Sequence, residues 1–340
     1  MKVAFVTEPL KVEIRDVPIP SVGEEDVLIQ MAYAGICGSD LHLYKGTHAF
    51  RKLPAALGHE ISGTVVRVGK KVTQFHIGDH VTVEPQIVCG ECEFCRSGRQ
   101  NLCTRKIVPG TPQWLGTFAE YFVAPERTVY KIVEKVDLKV AALVEPLAVA
   151  VQAMNVALNH GVVGDVAILG SGTIGLLLLL LAKRLGFEKV FCTDTADFNT
   201  KLAIRLGATA AFDPLKTDVI KEIQTGTAGK GVDICFVAAG APNIIDQASA
   251  LTKKCGTVVL VSMITKPIPV YTYSFVFNEQ TLVGTMTYTT DAFKKACDLI
   301  NEGLDPAPII THVLPMEQAQ KGLEILSQKT ENAGKVLVCP

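Results

Sequence analysis

Val166-Ala-Ile-Leu-Gly-Ser-Gly-Thr-Ile-Gly-Leu-Leu177 is the stretch whose reading decides the fold. Four apolar residues suited to a buried strand run into Gly170, Gly172 and Gly175, a Gly-x-Gly-x-x-Gly, and the residues after them read as a helix. Strand, tight turn and helix in that order are the parts of a dinucleotide-binding βαβ unit, in which the first helical residues, here Thr173 and Ile174, turn free N–H groups toward a pyrophosphate. Asp194 closes the next predicted strand about twenty residues on, where an acid accepts hydrogen bonds from the adenosine ribose hydroxyls. A carboxylate there repels a 2′-phosphate and no arginine follows it directly, so these residues predict NAD in preference to NADP.

Outward from the loop the pattern alternates regularly. Strands are expected at 166–169, 190–193, 233–237, 257–261 and 281–285, and helices at 173–185, 198–206 and 244–253, which is a doubly wound parallel α/β sheet of the Rossmann type. Gly186, Gly207 and Gly226 each follow a helical pattern, where a C-cap glycine is expected. Upstream, 141–160 reads as one long helix with Glu145 in its first turns and Pro146 at a tolerated N-terminal position. Ile174 to Ala182 is the most apolar run, but it is about half the ~20 residues a membrane span requires, and Lys183-Arg184 closes it.

Residues 1 to about 125 read differently: Val27 to Tyr33, Gly63 to Gly69 and His80 to Glu84 are short strands between Gly, Pro and Asp turns, a pattern suited to a barrel-like antiparallel fold. From Thr289 a helix, Ala292 to Ile300, precedes strands at 309–313 and 334–338, which fit as additions to the N-terminal sheet. A chain of 340 residues suits two domains. The expected division is a catalytic domain over 1–148, to which 289–340 returns, and a nucleotide-binding domain over 149–288.

With 33 basic and 34 acidic residues, the chain offers no electrostatic case for nucleic acid or an anionic membrane as main partner, and a small neutral ligand fits better. Met1 to Pro9 lacks the apolar run of a secretory signal, so a cytoplasmic location is expected and the ten cysteines are read as thiols or metal ligands, not disulfides.

Metal-capable side chains cluster in four stretches. Cys89-Gly-Glu-Cys92-Glu-Phe-Cys95, followed by Cys103, can close a tetrahedral four-thiolate zinc site unaided; with every position filled, that metal is structural. Arg96, Arg99, Arg105 and Lys106 are near enough in sequence to offset its negative charge. The blocks Gly35-Ile-Cys-Gly-Ser-Asp-Leu-His42 and Leu57-Gly-His-Glu-Ile-Ser62 bring Cys37, His59 and Glu60, and Val144-Glu-Pro-Leu brings Glu145. Together they offer the Cys/His/carboxylate set of a catalytic zinc, which needs three protein ligands and an open position. One thiolate and one carboxylate cancel the charge of the ion, leaving a neutral site that does not hold an anionic substrate strongly.

In that order, Cys37-Gly-Ser-Asp, Gly58-His-Glu, the four-cysteine block, Gly116-Thr-Phe-Ala-Glu-Tyr, Glu145-Pro-Leu and the glycine loop make the whole chain resemble the zinc-dependent medium-chain dehydrogenase/reductase family. Within it, Val144-Glu-Pro-Leu-Ala-Val-Ala and Leu282 to Phe293 are most similar to the polyol and vicinal-diol branch, which includes sorbitol and 2,3-butanediol dehydrogenases. The resemblance implies a GroES-like β-rich catalytic domain beside the Rossmann domain, and hydride transfer between a secondary alcohol and NAD to give a ketose or ketone. It implies a homodimer or homotetramer with the edge of the nucleotide-binding sheet as contact. It also implies Cys37, His59 and a glutamate as ligands of the catalytic zinc, with Glu60 placed first and Glu145 second. Ser39 and His42 then form a relay for the proton of the reacting hydroxyl, and adjacent hydroxyls on a diol favour polyols over simple alcohols. Sorbitol-dehydrogenase-like enzymes tend to carry an arginine where Thr287 stands here, which counts against sorbitol itself. Two alternatives remain: an L-threonine dehydrogenase acting on an amino alcohol, and, from a different class, a nucleotide-binding protein without activity. The intact Cys37, Ser39, His59, Glu60 and Asp194 argue against the second.

Overall fold

Alternation of apolar and polar residues shapes the first third of the chain in the computed structural model, which describes residues 1–159 and 164–340. Strands β1 (Lys2–Glu8), β2 (Lys11–Asp16) and β3 (Asp26–Gly35) are followed by helix α1 (Gly38–Tyr44), β4 (Ala55–Ala56), β5 (Glu60–Val68), β6 (His80–Val83), α2 (Glu93–Arg96), β7 (Tyr121–Pro125), β8 (Val129–Lys131), α3 (Leu138–Ala141) and α4 (Val144–Leu158). Along β3 the side chains of Val27, Ile29 and Met31 alternate into one core cluster, while Leu28 on the opposite face is buried too, so this part of the strand is covered on both sides. Gly63 in β5 lets that strand lie against β3, since a Cβ there would stand 2.2 Å from the Gln30 carbonyl oxygen.

The second part of the chain supplies β9 (Val166–Leu169), α5 (Thr173–Arg184), β10 (Val190–Thr193), α6 (Asp197–Arg205), β11 (Ala210–Phe212), α7 (Val219–Gly226), β12 (Val232–Val237), α8 (Ile244–Leu251), β13 (Thr252–Leu260), α9 (Thr272–Asn278) and β14 (Thr281–Gly284). All six strands are parallel and ordered β11-β10-β9-β12-β13-β14, so the chain winds outward from β9 in both directions. This is the Rossmann order, and its crevice lies beyond the carboxyl ends of the strands where the order reverses. Leu176 to Leu179, Leu181 and Ala182 are all buried, which explains why α5 is apolar on every side. Among the described residues no helix is long and apolar enough to cross a membrane.

The chain ends with α10 (Thr290–Asn301), β15 (Ile310–Pro315), α11 (Ala319–Gln328) and β16 (Lys335–Cys339). Strands β15 and β16 extend the antiparallel sheet in the order β15-β16-β3-β5-β6-β8, with β7 on the other part of β3, while β2-β1-β4 form a small separate sheet. Contacts divide the molecule into Met1–Glu145 with Thr289–Pro340, and Pro146–Tyr288.

Several expected elements differ in detail. The helix predicted over 141–160 is α4, which starts three residues later and is separate from the short α3 ending at Ala141; the last expected residue, His160, lies outside the described residues. A helix running through both would need an N–H from Pro146 to Ala142, which proline lacks; instead Leu143 N closes onto Val140 O at 2.9 Å and the chain restarts. Gly186 and Gly207 take φ +85° and +99° after their helices, but Gly226 is inside α7, and the left-handed turn falls on Ala228 and Gly229. Close packing explains Gly226 better, because a Cβ there would meet the Phe191 ring at 2.8 Å. Strand β13 starts five residues before the expected 257, and the short β11 had no periodicity long enough to register.

Gly175 is the residue on which closure of the strand–helix turn depends, since a Cβ would stand 1.9 Å from the Gly170 carbonyl oxygen. Gly175→Ala is expected to destabilise the nucleotide-binding unit by ~3 kcal/mol, the scale of backbone overpacking. Urea unfolding followed by far-UV circular dichroism checks it, the early transition moving to lower denaturant.

Candidate active site

Cys37 ends the turn after β3 and serves as N-cap of α1, whose third residue, Asp40, reaches back to accept from Cys37 N at 3.0 Å. The other oxygen of Asp40 accepts from Gly58 N at 3.1 Å and lies 3.9 Å from Nδ1 of His59. One fully buried carboxylate thus holds together the two loops that carry Cys37 and His59. Glu60 follows as the first residue of β5, paired with Gly35 across the sheet; a side chain at Gly35 would collide with Glu60 Oε2. Cys37, His59 and Glu60 each bring one ligand atom into a group lying within 4.8 Å of one another, whereas Glu145, buried in the first turn of α4, is outside it. A thiol, an imidazole and a carboxylate converging in that volume fit a zinc ion with three protein ligands.

Behind them stands a residue that the sequence did not reveal. Lys335, 2% exposed at the start of β16, donates to Glu60 Oε1 at 2.6 Å and to the Ile36 carbonyl at 2.9 Å, and also touches Glu60 Oε2, which accepts no hydrogen bond. Burial works against its charge, but the charges of Glu60 and Cys37 outweigh burial and hold the ammonium above its ordinary range. Burial, then the charge of Glu60, pushes the Cys37 thiol up, so a metal must compete with a proton there. Lysine at the head of an apolar strand looks like an exposed end in sequence, and only the pairing of β16 with β3 brings it inside.

Ser39 and His42 stand three residues apart on α1 and therefore on one face; both are half-buried, and His42 Nδ1 lies 3.3 Å from Thr47 Oγ1. Thr287, where the resembling enzymes tend to carry arginine, holds φ +40° with a buried hydroxyl that lacks a hydrogen bond. A β-branched residue in that region costs ~1–3 kcal/mol of backbone strain.

The four-cysteine block is already arranged for a metal. Cys89 Sγ lies 3.8 Å from Cys95 Sγ and 3.5 Å from Cys103 Sγ, close to the ~3.8 Å edge of a tetrahedron with Zn–S of about 2.3 Å, and all four sulfurs share one 4.8 Å group. Backbone N–H groups point at sulfur, from Cys92 to Cys89 at 3.4 Å and from Cys89 to Cys103 at 3.5 Å. Hydrogen bonds from the backbone hold the Cys89 thiol down to about 6 and lower that of Cys92, while desolvation raises Cys95. Of the four bases expected to offset the cluster, Arg105 reaches a sulfur, Cys89 Sγ at 3.5 Å; Lys106 instead donates to the Asn101 carbonyl at 2.7 Å.

Each glycine of the loop has its own reason. Gly170 turns at φ +102° against Ala239, Gly172 has open space where a side chain would project, and Gly175 packs on Gly170. The open middle position is where a phosphate can approach backbone, and the N-terminus of α5 at Thr173 and Ile174 supplies N–H groups to it. Asp194 ties the loop down: Oδ2 accepts from Ser171 N and Oδ1 from Ala196 N, both at 2.9 Å. Each oxygen keeps a second lone pair for a ribose hydroxyl.

Family models match both parts of the chain: an alcohol dehydrogenase GroES-like domain over residues 23–135 and a zinc-binding dehydrogenase domain over 173–302. L-threonine 3-dehydrogenase of Bacillus velezensis is 34% identical over 96% of this chain and 95% of its own length, and sorbitol dehydrogenase of Bacillus subtilis is 32% identical over 100% and 97%. A solved zinc-binding dehydrogenase from Sinorhizobium meliloti 1021, bound to NADP, superposes with a TM-score of 0.91 at 31% identity, covering 100% of this chain and 99% of that one. With a GroES-like domain and a zinc-binding dehydrogenase domain matched along the chain, and a relative 32% identical over its full length, the chain belongs to the zinc-dependent medium-chain dehydrogenase/reductase family.

Proposed function

We propose that the protein oxidises a secondary alcohol of a polyol, cyclitol or vicinal diol with NAD, giving a ketose or ketone. The observation that carries this reading is the convergence of Cys37, His59 and Glu60 on one small volume, three protein ligands being the number a catalytic zinc uses. Zinc, when bound, supplies Lewis acidity that brings a hydroxyl's pKa toward neutrality, and the nicotinamide supplies the hydride acceptor. Cys37, His59 and Glu60 hold the ion, Lys335 fixes the Glu60 carboxylate, and Asp40 fixes the relation of Cys37 to His59. Ser39 takes the proton of the reacting hydroxyl and passes it toward His42, one helical turn further along α1. Cys89, Cys92, Cys95 and Cys103 hold a second, structural zinc. Gly170, Gly172, Gly175, Thr173 and Ile174 receive the pyrophosphate, and the acid at Asp194 favours NAD because it repels a 2′-phosphate.

The identity to L-threonine 3-dehydrogenase supports a second reading, oxidation of the hydroxyl of an amino alcohol. Incubating zinc-replete protein with NAD and a panel of polyols, diols and L-threonine, and following NADH absorbance, separates the two. Turnover of at least one secondary alcohol is expected, and its absence across the panel would overturn the dehydrogenase reading. Cys37→Ser is expected to lower the rate by ~100-fold or more and to leave one zinc per chain by elemental analysis; two zincs at full occupancy would refute the ligand assignment.

Assembly into a homodimer or homotetramer is part of the same proposal. Strand β14 is the last in the sheet order, and Tyr271, Val276 and Phe277 next to it in sequence are 63%, 73% and 65% exposed, an apolar group suited to a second copy. Sedimentation velocity is expected to show a dimer or tetramer, and Val276→Lys with Phe277→Glu to shift it toward the monomer.

A further inference from the structure

Arg51 stands on the loop between α1 and β4, half-buried, with Nη2 3.4 Å from Ser39 Oγ. Gly110, at φ +80°, packs onto it; a Cβ there would stand 2.8 Å from Nη1 and 3.3 Å from Cδ. The guanidinium is therefore held against the turn of α1 that follows Cys37.

Its other neighbour is His48, which cannot neutralise it. Nδ1 of His48 accepts from the backbone N–H groups of Phe50 at 3.2 Å and Arg51 at 3.1 Å. Arg51 Nε also approaches Nε2 at 3.3 Å, in competition with those two bonds, since a neutral ring accepts at one nitrogen at a time. Burial, then the charge of Arg51, pushes His48 down to about 4, which keeps the ring neutral. Among the described residues no carboxylate pairs with Arg51, and Asp40, the nearest acid along the helix, has both oxygens engaged by backbone N–H groups. A guanidinium is always charged and carries five donors in a fixed fork. Here that fork is partly desolvated, and its side-chain acceptors are two neutral groups at long range, Ser39 Oγ at 3.4 Å and His48 Nε2 at 3.3 Å.

We propose that Arg51 selects a substrate bearing a carboxylate or phosphate in addition to the hydroxyl that is oxidised, gripping the anion beside Ser39 while the hydroxyl lies toward Cys37, His59 and Glu60. This assignment deepens the dehydrogenase reading and rests on it for the fate of the hydroxyl, but the anion site itself does not. It departs from the expectation from composition of a neutral ligand. The neutral ligand set provides no attraction for an anion, and the fork of Arg51 does.

The test compares D-glucitol with D-gluconate, D-glucitol 6-phosphate and L-threonine on the zinc-replete full-length protein, by calorimetric titration and by kcat/KM with NAD. At least one anionic ligand is expected to bind about tenfold or more tighter than D-glucitol, the scale of one charge-assisted hydrogen bond. Arg51→Gln is expected to bring that ratio to within about twofold, and Arg51→Lys to keep part of it, since the charge remains and the fork is lost. Gluconate against the phosphate shows which anion is taken, and threonine whether the carboxylate belongs to an amino alcohol. Equal binding of anionic and neutral ligands, or an Arg51→Gln protein with two zincs and unchanged preference, overturns the proposal. Anion binding lost in Arg51→Gln without turnover of any ligand would instead overturn the dehydrogenase reading and leave the anion site standing.

Discussion

Lys335 Nζ donates to Glu60 at 2.6 Å across 275 residues of sequence, and the catalytic unit is arranged so that this contact exists. Moving both charges out of water costs several kcal/mol per ion, and removing one partner from such a pair costs ~3–5 kcal/mol because the other is left uncompensated. The surroundings meet that cost. Ile36 gives the ammonium a carbonyl, Gly35 leaves room for the carboxylate, and β16 must lie antiparallel to β3 for Lys335 to reach either. The last strand of the chain is thus fixed by the same carboxylate that Cys37 and His59 need. The ammonium also fixes the direction in which the Glu60 oxygens face, because Oε1 accepts from it and Gly35 leaves space beside Oε2.

Missing side chains do comparable work at the nucleotide loop. Gly170, Gly172 and Gly175 each lack a Cβ for a separate reason: a left-handed turn, an open approach and a helix packed on a carbonyl oxygen. Asp194 fixes the loop from the neighbouring strand by accepting from Ser171 N. A carboxylate that anchors the loop through one lone pair and faces outward with another links the position of the pyrophosphate to that of the ribose.

Most of this was legible in sequence wherever the signal is local. The glycine loop, Asp194 after its strand and four cysteines at short spacing are contiguous patterns whose chemistry follows from their spacing, and the elements around them formed where expected. The break between α3 and α4 has a local cause too, the missing N–H of Pro146 opposite the Ala142 carbonyl. What escaped depends on long-range pairing. Lys335 is buried because β16 joins β3, and Asp40 matters because two loops meet at its oxygens. Glu60 and Glu145 are equivalent as letters; the sheet brings Glu60 to Cys37 and His59, while Glu145 stays outside their group.

Charge divides the work of the site. Cys37 and Glu60, when ionised, would balance a zinc dication, and Lys335 stands behind them within reach of the charges of Glu60, Cys37 and Glu145. That balance suits a centre whose task is to make a hydroxyl acidic, because a residual positive charge would trap an anionic ligand at the metal and a residual negative one would raise the hydroxyl's pKa. Discrimination among hydroxylated ligands then has to come from elsewhere, since every alcohol presents the same oxygen to the ion. Arg51 is separate from the balanced set and is held by Gly110 and by a histidine that cannot neutralise it. On the proposed reading the ligand set governs reactivity and the arginine governs choice, so substrate preference could change along the loop from 45 to 54 without disturbing the buried pair at Glu60.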